Sequence, residues 1–210
     1  GAQTFGNAPL EVYALGIDVL TFSAHKIYGP KGAAGVFIRK GTKMVAVHHG
    51  GEPERRRRAG TENVAGIVGL GKAVEVRARD MQAEAPRVAA LRDRLWEGVR
   101  TRVPEVRLSG HPTQRLPGTA SLLFRHVESE SIVLGLDLKG VAVSAGSACT
   151  SGNVEPSHVL VAMGVGVDWA MGAVRCSLGR STSAEDIDYV LECVEPLVKK
   201  LRQAMPVGAA

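Results

Sequence analysis

Aromatic side chains are scarce in this chain of 210 residues: Phe, Tyr and Trp make up 4% of it. That leaves too few rings for a base-stacking, single-strand nucleic-acid platform. Cysteine is scarce too. Cys149, Cys176 and Cys193 are odd in number and widely spaced, which argues against a disulfide framework and for a reducing, cytoplasmic setting. No apolar run approaches the ~18 residues of a membrane span, and no secretory signal is present. Repeats and low-complexity tracts are absent. His48 and His49 are adjacent and cannot share one face of a strand, and no Cys/His cluster has zinc spacing, so no metal is expected. What remains is ordinary globular composition, 45% hydrophobic and 22% charged, in a chain long enough for one or two domains.

The formal net charge is +5, and Arg55-Arg56-Arg57-Arg58 concentrates it. Such a run is a solvated loop or a phosphate-backbone contact. It is short and isolated, which argues against nucleic acid. Gly66-Ile67-Val68-Gly69-Leu70-Gly71-Lys72 has the spacing of a phosphate loop, but Ala73 stands where a magnesium-binding hydroxyl belongs. It also falls inside a helical pattern, so close helix packing through glycine is the better reading.

Periodicity predicts strands at Val19 to Ser23 and Ala34 to Arg39, then a polar loop over 41–60. A helix is expected from Glu62 to Met81. Pro86 is expected to interrupt it before a second helix over Arg87 to Val103. Further strands are expected at Val106 to Leu108, Thr119 to Phe124, Val141 to Ser144 and Ala173 to Leu178. Helices are expected at Glu128 to Leu138, His158 to Met163 and Ala184 to Gln203. The long helical connection marks a domain boundary, residues 1–82 against 83–210. Loosely alternating strands and helices read as an α/β remnant followed by a small α+β domain.

Two stretches carry chemistry. Ser23-Ala24-His25-Lys26-Ile27-Tyr28-Gly29-Pro30-Lys31-Gly32 follows the first strand. A lysine there, among hydroxyl and imidazole donors, is a candidate imine-forming amine. Its ordinary pKa of about 10.4 leaves almost no free amine at neutral pH. Burial can lower that by roughly 3–5 units, and an aldehyde cofactor is the usual use. The second stretch is Gly146-Ser147-Ala148-Cys149-Thr150-Ser151-Gly152. Small and hydroxyl neighbours cannot bury its sulfur, so Cys149 reads as an exposed loop thiol able to reach a reaction centre. Cys176 and Cys193 fall in apolar patterns and read as packing residues.

Together these stretches resemble the cysteine desulfurases of the NifS/IscS type. These are class-V aminotransferase-family enzymes of fold type I that use pyridoxal 5′-phosphate. Gly50-Gly51, Glu54-Arg55 and Arg58-Ala59-Gly60-Thr61-Glu62-Asn63 are similar to that family's loop into a long helix. Arg175-Cys176-Ser177-Leu178-Gly179-Arg180 is similar to its substrate-carboxylate strand. The resemblance implies that Lys26 holds the cofactor and moves the substrate's α proton. It implies that Ser23 and His25 bond the phosphate, that Gln3 bonds the phenolic oxygen, and that Thr61 reaches the phosphate of a neighbouring subunit. Arg175 would pair with the substrate carboxylate, and Cys149 would accept sulfur as a persulfide. The fold implied is the carboxyl-terminal part of a transferase large domain, then a small α+β domain carrying the cysteine loop.

The implied substrate is L-cysteine. The implied partners are a second copy in a homodimer and an iron–sulfur scaffold or other sulfur acceptor. Family members are about twice as long. The chain starts at Gly1 without an initiator methionine, and Ala2-Gln3 are similar to the end of an Asp-x-x-Gln motif. A carboxyl-terminal half is therefore expected, as a gene fragment, a cleaved product or one piece of a split enzyme, with the amino-terminal half missing. Pro53 stands where the family has glutamine, and Arg56 where it has a small residue. A selenocysteine lyase-like enzyme and a non-catalytic dimerisation or scaffold-binding half are the alternatives.

Overall fold

The β-branched and aromatic run Val19–Ser23 forms β1, and Ala34–Ile38 forms β2, in a computed structural model that describes residues 1–145 and 155–204. The two strands pair antiparallel, from Val19 opposite Ile38 to Ser23 opposite Ala34. A 3₁₀ turn, Ala24–Lys26, follows β1. It is pinned from below by Ala24 and Ile27, which are 0% and 2% exposed. The chain divides into two compact units, Gly1–Ala85 and Pro86–Ala210.

The longest helix, α1, spans Val64–Arg102. Its first turn is capped by Asn63, whose Oδ1 accepts the Gly66 N–H at 3.1 Å. The expected break at Pro86 is not there. Pro86 and Gln82, whose carbonyl loses its helical donor, both face solvent, so water can take that carbonyl and the helix continues. The glycine spacing that mimics a phosphate loop lies within α1. A Cβ on Gly69 would come within 2.8 Å of Pro30, and one on Gly29 within 3.0 Å of the Ala73 side chain. Glycine here lets α1 pack directly on the loop that follows Lys26.

Residues 41–60 form the expected polar loop, interrupted by one short helical turn at Pro53–Arg56. Within it Glu54, Arg55 and Arg56 have φ of 53°, 57° and 64°. Three successive left-handed residues with side chains cost roughly 1–2 kcal/mol each. Arg56 Nη2 bonds Glu52 Oε1 at 2.5 Å.

In the second unit β3 (Val106–Leu108), β4 (Thr119–Phe124), β5 (Ser144–Ala145) and β6 (Ala173–Ser177) form one antiparallel sheet in the order β3-β4-β6-β5. Helices α2 (Ser129–Asp137) and α5 (Ala184–Ala204), with the later turns of α1, bury one face of it. Phe124, Leu122, Val174, Ile132 and Leu95 lie at the centre, each at most 2% exposed. Short helices α3 (His158–Ala162) and α4 (Val167–Ala170) cover part of the other face over Leu123 and Ala173.

The expected strand at Val141 to Ser144 shortens to Ser144–Ala145. Val141 is apolar because it ends a helix: its N–H reaches the Leu136 carbonyl at 3.0 Å and the Gly140 N–H that of Asp137 at 2.8 Å, with Gly140 at φ 76°. That is a Schellman stop, whose trailing apolar residue packs back on the helix. Helix α5 opens on a reciprocal cap between Ser183 and Asp186, at 2.9 and 3.1 Å.

Candidate functional site

In the first unit the amino-terminal residues lie against the strand and turn that carry Lys26. Phe5 stacks on Phe22 of β1, with ring centroids 4.2 Å apart. Gly6, at φ 72°, sits so close to Ile27 that a Cβ would come within 2.8 Å of its Cγ2. These contacts seat the turn that carries the exposed Gln3 against β1 and the Lys26 turn. Ser23 is extended (φ −133°, ψ 141°) and partly buried. His25 and Lys26 are exposed, because the buried members of their turn are Ala24 and Ile27. The residues of this chain leave Lys26 open. Thr61, also exposed, lies just ahead of the Asn63 cap of α1.

What fixes this arrangement is a residue that sequence reading passed over. Arg77 of α1 is 6% exposed. Its Nε and Nη2 donate to the Gly6 carbonyl at 2.8 and 2.5 Å, and its Nη1 pairs with Glu84. The Tyr28 ring lies 5.7 Å from its guanidinium carbon. The sequence signal was available: Leu70, Ala73, Val74 and Arg77 share one core-facing helical spacing, and an arginine there needs partners.

In the second unit Arg175 is partly buried at the middle of β6. The register sets it directly opposite Ser121 of β4 on one side and Ser144 of β5 on the other. Cross-strand neighbours share a face, so one guanidinium is flanked by two hydroxyls. Among the described residues no carboxylate forms an ion pair with it, unlike Arg125, which pairs with Asp168 at 2.6 Å and Glu105 at 3.1 Å. A planar guanidinium so placed suits a two-point bond to a ligand carboxylate. The sequence pointed to Arg175 but not to its flanking serines, which only strand pairing reveals.

Cys149 lies outside the described residues. Strand β5 leads into its stretch, and at most ~18 Å of extended chain separates the Cα atoms of Ser144 and Cys149. Cys176 and Cys193 are buried in the core of the second unit. Burial pushes the Cys176 thiol up to about 12, which removes it as a nucleophile at neutral pH.

Comparison with known proteins bears on both sets of residues. The aminotransferase class-V family profile matches residues 1–190. A cysteine desulfurase IscS of Dictyoglomus turgidum is 48% identical over 204 residues, covering 97% of this chain and 52% of the relative. One from Methanosarcina thermophila is 48% identical over 205 residues, covering 98% and 50%. Among solved structures, a NifS-like protein from Rickettsia africae superposes with a TM-score of 0.85 at 30% identity, covering 94% of this chain and 52% of that one. Another NifS-like protein gives 0.84 at 33% identity, covering 96% and 52%. The chain spans about half the length of the curated relatives it matches.

Proposed function

The chain belongs to the aminotransferase class-V family, and on that footing we propose that it is the carboxyl-terminal portion of a cysteine desulfurase. The observation that carries the reading is Arg175, set between Ser121 and Ser144 at the root of the segment that bears Cys149. An amino-acid carboxylate held there comes within chain reach of Cys149. The relatives named cysteine desulfurase support the same reading.

The donors of the first unit fit pyridoxal 5′-phosphate. Ser23 and His25 offer a hydroxyl and an imidazole to a phosphate, and Gln3 offers an amide to a phenolic oxygen. Lys26 offers an accessible amine on a turn anchored by buried Ala24 and Ile27. Bound there, the cofactor supplies an electron sink for chemistry at an amino acid's α carbon. Arg175 holds the carboxylate of L-cysteine and so orients the rest of the molecule. Lys26 Nζ takes the α proton and returns a proton to carbon. Cys149 Sγ, as thiolate, bonds to the substrate sulfur while the carbon–sulfur bond breaks. The bonding pair stays on the carbon side, carbon is protonated, and alanine leaves. The sulfur remains as a persulfide on Cys149.

In this reading residues 1–82 complete the cofactor-binding large domain and 83–210 are the small domain. Thr61 serves the cofactor of a second copy in a homodimer. The amino-terminal half of the enzyme supplies the remaining cofactor contacts, and the sulfur passes to an iron–sulfur scaffold or another acceptor in the cytoplasm.

The test is alanine formation from L-cysteine by the chain assembled with the rest of a family-length protein, with persulfide located by mass. Cys149→Ala should lose at least ~10³-fold in turnover, as removal of a nucleophile does, while still binding L-cysteine. Cys176→Ala should keep most of it. The reverse pattern would sink the proposal.

A further inference from the structure

Arg77 joins three parts of the first unit that are far apart in sequence. Its fork closes on the Gly6 carbonyl with two bonds, at 2.8 and 2.5 Å. Its Nη2 also lies 3.4 Å from Asn7 Oδ1. Asn7 in turn uses its Nδ2 to donate to the backbone carbonyl of Gln3 at 3.0 Å. On the other side Gly6 is wedged against Ile27, the residue after Lys26, and Tyr28 packs its ring toward the guanidinium. Glu84, on the same helix, neutralises the buried charge.

We propose that Arg77 is a positioning residue: acting through Gly6 and Asn7, it holds the Gln3 turn in register with the Lys26 turn. This rests on the reading above that Gln3 and Lys26 address one cofactor. The reasons are geometric. The backbone bonds inside the turn run from Thr4, Phe5, Asn7 and Ala8 N–H to the carbonyls of Gly1 and Thr4 at 2.8–3.1 Å, and none of them reaches β1. The stack of Phe5 on Phe22 and the seat of Gly6 on Ile27 press the turn onto β1 and the Lys26 turn but carry no directional bond. The guanidinium supplies direction, because a planar fork bonded twice to one oxygen and once to a carboxylate has a set orientation. Lysine at this position keeps a charge for Glu84 but cannot present the same fork.

The experiment uses the full chain. Amide hydrogen exchange is followed at Phe5, Asn7 and Ala8, with the amides of β4 as the internal standard. Arg77→Met should speed exchange at the three amides at least ~10-fold and leave β4 unchanged, which separates loss of the hold from global unfolding. Asn7→Ala, which spares the buried ion pair, should speed it less. Arg77→Lys should fall between wild type and Arg77→Met. Unchanged exchange in Arg77→Met overturns the proposal.

A second arm reads the Gln3–Lys26 register. The chain, assembled with the rest of a family-length protein, is treated with excess pyridoxal 5′-phosphate and borohydride, and the label at Lys26 is compared with that at Lys31, Lys40 and Lys43. Gln3→Ala should lower the Lys26 preference several-fold in wild type and have no further effect in Arg77→Met, since a misplaced Gln3 has nothing left to lose. Losses that multiply independently overturn the proposal. If the wild-type chain shows no preference for Lys26, the cofactor reading above falls, and the exchange arm alone decides whether Arg77 holds the turn.

Discussion

The two units of this chain solve the burial problem differently. The second encloses a continuous core in which side chains from α1, α2 and α5 meet β3, β4 and β6. The first has a core of Ala24, Ile27, Ala33 and Leu70 beneath a two-stranded sheet. It leaves Val45 and Val47 more than 80% exposed, and Tyr13, Val64 and Val68 more than 60%. A lone strand pair is marginal in water. The lesson is that the unit carrying Arg175 has what it needs to stand as a platform, whereas the unit carrying Lys26 is a turn held on a thin support. In the second unit stability comes from volume. In the first it comes from particular locks, Gly69 on Pro30 and Arg77 on Gly6.

The largest test of that contrast is Phe124→Ala at the centre of the second unit. It should cost about 3–5 kcal/mol of unfolding free energy, the range for truncating a buried phenylalanine. Leu70→Ala in the first unit should cost about 2 kcal/mol, at the low end for leucine because the site is shallow. Urea unfolding followed by exchange in each unit separates the two. Equal costs would erase the distinction.

Next comes pH. The Cys176 thiol in the folded second unit is pushed up to about 12 from an ordinary value of 9.0, because burial disfavours its thiolate. The folded state therefore holds that proton more tightly than the unfolded chain. The contribution is complete below pH 9.0 and is lost as pH rises through about 12, at most on the order of 4 kcal/mol. Stability measured from pH 8 to 11 should fall more steeply in wild type than in Cys176→Ala. Parallel slopes would show that the thiol is not the cause.

Smaller still is relief of strain in the first unit. Arg55, exposed at φ 57°, should accept glycine with a gain of roughly 0.5–1 kcal/mol in local stability, read as slower thermolysin cleavage within residues 52–58. Faster cleavage would mean that the guanidinium, not the backbone, governs this loop. The smallest effect is expected at Val45. Val45→Ser should change unfolding free energy by less than ~0.5 kcal/mol while reducing binding of a hydrophobic dye. A large loss of stability would reveal a core that the exposure of Val45 conceals.

What the sequence determined by itself is what short-range physics encodes. Apolar runs placed β1, β4 and β6, and the helical stripe of Val190, Val194, Leu197 and Leu201 placed α5, on whose buried face Ile187, Leu191 and Val198 also lie. Residue chemistry and local sequence singled out Lys26 and Cys149 as candidates, and the family resemblance singled out Arg175. The tertiary structure decided the rest, since each remaining feature depends on residues far apart along the chain. Pro86 stays helical because it faces water, which only packing establishes. Val141 mimics a strand residue while closing a helix. Lys26 is open because Ala24 and Ile27 take the buried places in its turn. Arg175 gains its serines from strand pairing, and Arg77 finds its partner in Gly6 at the other end of the first unit. Local periodicity is written in neighbouring residues, but a hydrogen bond between distant ones exists only once the chain has closed the loop between them.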